Sequence, residues 1–269
     1  MNPLDQFSDF GVQPGRSDQR IIIGSGHKMY LTYEETLAWM EGIRGFSAEF
    51  GQAGIFVLPT FPAIKETGSL LEGSGILYGA QNSHWKPSGP FTGEVSPHVL
   101  RELGCTIVEL GHAERREWFG ETDELVRLKI RAVLEEGLVP LVCLGEPSQT
   151  TPKTAVDLVL RQLEEVLDLA WIGELSPADQ ASLAIMIAYE PVWAIGADQS
   201  APLEYIKPVI TALRKELRKY WPGQSAILYG GAVNPKNASS LKKSGVDGLF
   251  IGRASLDLNG FVELIKSYQ

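Results

Sequence analysis

The sequence predicts a single (β/α)₈ barrel, an α/β fold. Three observations predict it. Short apolar runs recur about eight times along the 269 residues, amphipathic segments of helical period separate them, and no shift in composition divides the chain. Strands buried on both faces read as continuous apolar runs, and a barrel of about 250 residues is ordinary as one domain. A doubly wound sheet is the alternative, but no GxGxxG follows the first run.

The runs are "IIIGSG" (21–26), "GIFVLP" (54–59), "GILYGAQN" (75–82), "CTIVEL" (105–110), "LVPLVCLG" (138–145), "AIMIAYE" (184–190), "AILYGG" (226–231) and "DGLFIGR" (247–253). Each is short, rich in β-branched residues and bounded by Gly, Pro or polar residues, as a buried parallel strand should be. Between them, a first helix is expected after Thr32 as N-cap. Another is capped by Thr122, with acids in its first turn and Gly137 as its stop. "TAVDLVLRQLEEVLDLAW" and "PLEYIKPVITALRKELRKYW" read as helices too, with Pro208 kinking the second or marking a later start. Residues 1–20 read as a flexible N-terminal arm before a barrel over 21–269.

Composition narrows the function. Net charge is -9 and there is no basic run, which argues against nucleic acid as a partner. Cys105 and Cys143 lie inside apolar runs and read as buried thiols. No stretch reaches the roughly 18 apolar residues of a membrane span, and the first 20 residues lack an apolar signal core. No membrane partner and a cytoplasmic location are therefore expected. Four histidines, scattered, suit no metal cluster, and no cofactor is implied.

In such barrels the chemistry gathers at the C-terminal ends of the strands. The residues there are Gly26, His27 and Lys28 after the first run, Gln81 and Asn82 in the third, and His112, Ala113 and Glu114 after the fourth. Glu190 ends the sixth run, Gly230 and Gly231 the seventh, Gly252 and Arg253 the eighth. A Lys, a His and a Glu on one rim make an acid, a base and a cation. Gly-bearing turns after the last two strands offer bare backbone N–H groups to a phosphate. A small phosphorylated metabolite whose proton is moved is the substrate this pattern suggests.

"GHAERRE", "AYEPVWAIG", "YGGAVN" and "GAQN…FTGEVS", with "HKM" after the first strand, resemble the signature motifs of the triosephosphate isomerase family, in order, over about residues 21–268. The resemblance implies a cofactor-independent isomerase working through an enediolate. Glu190 would be its base, His112 the electrophile that polarises the carbonyl and Lys28 the cation. Glu114 would pair with Lys28 or support proton traffic. Gly196 in a lid, Gly230, Gly231, Gly252 and Arg253 would hold phosphate. The loop 83–96 would enter a twofold-related subunit, making a homodimer.

The chain also departs from the family's pattern. Gly26-His27 stand where Asn-Trp is usual, Ala113 and Ala232 where Ser is usual, and Arg253 where a second Gly is usual. Glu109 replaces an apolar residue on the fourth strand and, as a buried carboxyl, calls for a partner. These five positions, 26, 27, 109, 113 and 232, are candidates for specificity, and the losses at 26, 27 and 113 are expected to leave room beside the reacting carbons. Two substrates fit: a triose phosphate (dihydroxyacetone phosphate to glyceraldehyde 3-phosphate) and a four-carbon erythrulose phosphate. A catalytically weak phosphate-binding barrel is the third reading.

Overall fold

The computed structural model describes residues 21–51 and 53–268; the expected arm, 1–20, lies outside them. Eight parallel strands close into a barrel in chain order. They are β1 (Ile22–Gly26), β2 (Gly54–Leu58), β3 (Leu77–Ala80), β4 (Ile107–Leu110), β5 (Val139–Leu144), β6 (Ala184–Tyr189), β7 (Gln224–Tyr229) and β8 (Gly248–Ile251). The barrel shuts where β1 pairs with β8, Ile22 opposite Gly248.

Among the described residues eleven helices surround it: α1 (Tyr33–Gly45), α2 (Ile64–Leu71), α3 (Pro97–Glu102), α4 (Ala113–Phe119), α5 (Asp123–Glu135), α6 (Pro152–Val166), α7 (Leu169–Glu174), α8 (Pro177–Ser182), α9 (Leu203–Tyr220), α10 (Ala238–Leu241) and α11 (Leu258–Tyr268). Thr32 caps α1 in a reciprocal pair with Glu35, and Thr122 caps α5, as their positions before acid-rich first turns predict. The single helix expected from "TAVDLVLRQLEEVLDLAW" is two. Leu167 is extended after α6, and the Asp168 carboxylate then accepts the Trp171 N–H to start α7. Conversely, α9 runs through Pro208 without a break in assignment.

Side chains alternate along each strand between two cores. Phe56, Leu141, Met186, Leu228 and Phe250 fill the barrel interior, while Val57, Val142, Ile187, Ile227 and Ile251 pack outward on the helices. Both cysteines are buried free thiols. Among the described residues no helix is long and apolar enough to cross a membrane.

Candidate active site

A cavity of about 570 Å³ opens at the C-terminal ends of the strands, a size common for small-molecule sites. It is lined by the titratable groups Lys28, Glu109, His112, Glu114 and Glu190 and, among others, by Gly196, Gly230, Gly231, Ala232, Gly252 and Arg253.

Lys28 follows β1 in a left-handed backbone conformation, φ 50, which a residue with a side chain adopts rarely. Gln81 secures this turn, its Nε2 donating to the carbonyls of Lys28 at 3.0 Å and Leu58 at 3.1 Å. The Lys28 ammonium meets Glu114 Oε1 at 2.6 Å and His112 Nε2 at 3.5 Å. Burial works against that ammonium, but the bond to Glu114 and its charge outweigh burial and leave the Lys28 pKa above its ordinary value.

His112 caps α4, and its Nδ1 accepts the backbone N–H of Glu114 at 3.1 Å. That bond fixes the tautomer: the proton of the neutral ring sits on Nε2, which faces Lys28 and, at 3.5 Å, Glu190 Oε2. Burial, and then the Lys28 charge, push the imidazole pKa down to about 4. The ring is a neutral donor at any working pH.

Glu190 ends β6 and is 3% exposed. Burial, and then the nearby Glu109, raise its carboxyl to about 8, against the pull of Lys28. Gly230 makes this placement possible, because a Cβ there would lie 2.5 Å from Glu190 Oε1. After Glu190 come Pro191 and a short turn over Val192–Ala194, then Gly196 at φ 73. The segment is tied to the β7 loop by Ala232 N–H on the Ala194 carbonyl and by Asn234 Nδ2 on the Asp198 carbonyl. Its far end is held by Ala201 N–H on Tyr229 Oη.

Arg253 stands at the mouth of the cavity. Its guanidinium reaches the lid, for a Cβ on Gly196 would be 3.0 Å from Nη2. Among the described residues it has no carboxylate within ion-pair distance. A guanidinium with no carboxylate partner among the described residues suits a phosphate dianion; of the Gly-bearing turn after β7, the Gly230 N–H that the sequence offered to phosphate is spent on the Tyr189 carbonyl at 2.9 Å. Among the described residues no three His, Cys, Asp or Glu side chains are arranged as metal ligands.

A match to the family described as triosephosphate isomerase covers residues 21–268. The chain belongs to the triosephosphate isomerase family. It is 39% identical to a protein of Pectobacterium atrosepticum named L-erythrulose-1-phosphate isomerase, over 91% of this chain and 94% of the relative. It is 38% identical to a protein of Aquifex aeolicus named triosephosphate isomerase, over 93% and 100%. The crystal structure of triosephosphate isomerase from Bartonella henselae superposes with a TM-score of 0.77 at 30% identity, covering 93% of this chain and 99% of that one. The chain is an isomerase of this family.

Three of the family departures need correction as sources of space. His27 is not on the cavity wall: it is 1% exposed and packs edge-on against Trp39 at 4.5 Å, with neither ring nitrogen hydrogen-bonded. Ala113 instead lines a small separate void, of about 20 Å³, behind Glu190 and Cys143. Gly26 does line the cavity, but the Phe250 ring has moved into its place, 2.9 Å from where a Cβ would sit. Glu109 has found a partner in the Cys143 thiol, at 3.7 Å.

Sequence reasoning missed the anchor of the lid. Glu146, fully buried after β5, accepts from Trp193 Nε1 at 2.7 Å, Tyr205 Oη at 2.9 Å and Tyr189 Oη at 3.2 Å. The signal was present: "LGEP" puts an acid at a strand end, the position that marks the other functional groups.

Proposed function

We propose that this isomerase moves a carbonyl between neighbouring carbons of a small phosphorylated ketose through an enediolate. Glu190 takes the proton from the carbon beside the carbonyl and returns it to the next. His112 donates from Nε2 to the carbonyl oxygen, and Lys28 stabilises the developing negative charge. Glu114 holds Lys28 in place. Arg253 and the Gly-bearing turns take the phosphate, and the segment from Pro191 to Ala201 closes over it. The observation that carries this reading is that His112 Nε2 lies 3.5 Å from both the Lys28 ammonium and Glu190 Oε2, in a cavity that Arg253 also lines.

The smallest such reaction interconverts dihydroxyacetone phosphate and glyceraldehyde 3-phosphate. A four-carbon erythrulose phosphate is the second reading, which Glu109 favours. Relatives named for each substrate match about equally well, at 39% and 38% identity. Proton NMR in deuterated water tests the reaction itself. Deuterium should enter the substrate beside its carbonyl as isomer accumulates. A preparation that exchanges no hydrogen from either ketose phosphate would leave the weak phosphate-binding barrel in its place.

The proposal includes a homodimer and a cytoplasmic location. Supporting the dimer, the buried His84 stacks on Trp85 at 3.9 Å and packs at a tilt against Phe91 at 4.1 Å, giving the 83–96 loop a firm aromatic base. Met29, Trp118 and Phe119 are 93%, 72% and 70% exposed on loops and a helix at the same end of the barrel. Sedimentation should give twice the chain mass at micromolar concentration; an active monomer would overturn the assembly.

A further inference from the structure

Glu109 is one of four carboxyl side chains lining the cavity, with Glu114, Glu190 and Asp198, and beyond its effect on the Glu190 pKa the proposed reaction gives it no task. It projects from β4 into the barrel interior, is 6% exposed and still reaches the cavity wall. Its Oε1 accepts only the Cys143 thiol, at 3.7 Å, a weak bond, and among the described residues Oε2 has no partner. A buried carboxyl is costly to retain unless something bonds it.

Its position says what that could be. In a closed barrel of eight strands β4 lies across from β8. Arg253, the proposed phosphate ligand, follows β8, so Glu109 stands on the wall facing it. His112 and Glu190, which handle the reacting carbons, line the cavity with it. In a triose phosphate the carbon farthest from phosphate is itself a reacting carbon, and nothing extends beyond it. In a four-carbon ketose phosphate a hydroxymethyl group does.

Resting on the isomerase reading above, we propose that Glu109 determines specificity by hydrogen-bonding the terminal hydroxyl of a four-carbon ketose phosphate, which selects that substrate over a triose phosphate. The charged groups around it are Lys28 after β1, Glu114 at the start of α4, Glu121 between α4 and α5, and Glu190 just after β6; His112 and Cys143 are the neutral ones. Burial raises the Glu109 carboxyl to about 8, partly opposed by Lys28, with Glu114 and Glu121 adding to the rise. The shift favours the neutral acid. A neutral acid both donates to and accepts from a hydroxyl, and it does not repel the enediolate as a second carboxylate would.

The test compares wild type with Glu109→Leu and Glu109→Gln on both substrates, with unfolding curves to establish that each variant folds. Two carbonyl-free inhibitors, glycerol phosphate and a tetritol phosphate, read the contact without turnover. Wild type should prefer the tetrulose phosphate. Glu109→Leu should lose about 10- to 100-fold in its preference for the tetrulose over the triose, read as the ratio of the two kcat/KM values above the pH limb of Glu190, with a matching rise in the tetritol phosphate Ki, while the glycerol phosphate Ki holds. Glu109→Gln, which keeps a donor and an acceptor, should retain most of the preference. A wild type that turns over only the triose overturns the four-carbon substrate and with it this role. A wild type that prefers the tetrulose, with Glu109→Leu lowering both substrates equally or neither, overturns the role of Glu109 alone.

Discussion

Glu190 Oε2 lies 3.5 Å from His112 Nε2, and the N–H of Glu114 on His112 Nδ1 forces that imidazole to present its proton on the Glu190 side. The base and the electrophile therefore face one small volume, and their pKa values are pushed apart, Glu190 up to about 8 and His112 down to about 4. Glu190 must be ionised to act. Its raised pKa means that kcat/KM rises with pH through a limb near 8 and falls tenfold per unit below it. The second ionisation of a phosphate ester, near pH 6, lies apart from this limb. His112 adds none above about pH 5. Glu109→Gln removes one cause of the shift and should move the limb to lower pH. A profile flat down to pH 5 would refute the assignment. Glu190→Asp, which withdraws the carboxyl by one methylene, should cost on the order of a hundredfold.

The barrel was legible because strands buried on both faces need unbroken apolar runs, and the run "AIMIAYE" (184–190) contains β6 and overruns it only by Glu190. Lys28, His112 and Glu190 were legible because strand ends are where this fold exposes polar groups. What the pattern could not reveal is direction. Lys28 leaves β1 with a left-handed backbone held by Gln81, so Lys28 lines the cavity while its neighbour His27 is buried against Trp39. Nor could it show that Phe250 from the neighbouring strand β8 fills the space beside Gly26. The split between α6 and α7 was hidden because "LEEVLDLAW" keeps a helical period through the extended Leu167.

Glu146 should matter to the lid out of proportion to its distance from the chemistry. Three donors, from Tyr189 at the end of β6, Trp193 in the lid and Tyr205 in α9, converge on one buried carboxyl. Glu146→Ala strands all of them, and each buried donor left unmade costs about 1–3 kcal/mol. The expected result is a melting temperature lower by several degrees and a kcat/KM reduced at least tenfold, with faster hydrogen exchange over 191–201. Unchanged exchange in that segment would sink the anchoring role.

Arg253 supplies a charge where Ala232 lacks a hydroxyl. Its bond to phosphate would be charge-assisted, roughly twice as strong as a neutral one. Arg253→Ala should raise KM and the Ki of inorganic phosphate about tenfold or more, with a smaller effect on the pH limb of Glu190. An Arg253→Ala variant whose phosphate Ki matches wild type would show that the guanidinium only covers Gly196 of the lid.

Two buried titratable groups should bend the stability curve in opposite directions. Glu109 titrates near 8 in the fold against 4.5 in its ordinary state, so the native chain holds more protons between those values. Stability therefore falls as pH rises from about 4.5 to 8, by on the order of 4 kcal/mol, shared with the coupled Glu190. Glu109→Gln should consequently unfold at higher urea than wild type at pH 8, with a gain that shrinks towards pH 5. His27 runs the other way. Burial without a hydrogen bond lowers it to about 4 from 6.5, so the unfolded chain binds the extra proton and stability falls as pH drops through that window. At pH 5 the cost is about 2 kcal/mol. His27→Phe keeps an aromatic edge against Trp39 and has nothing to protonate, so its gain should appear at pH 5 and vanish by pH 8. Urea unfolding of both variants at pH 5 and pH 8 checks the pair. Gains that do not depend on pH would mean that packing, and not titration, separates these side chains from their replacements.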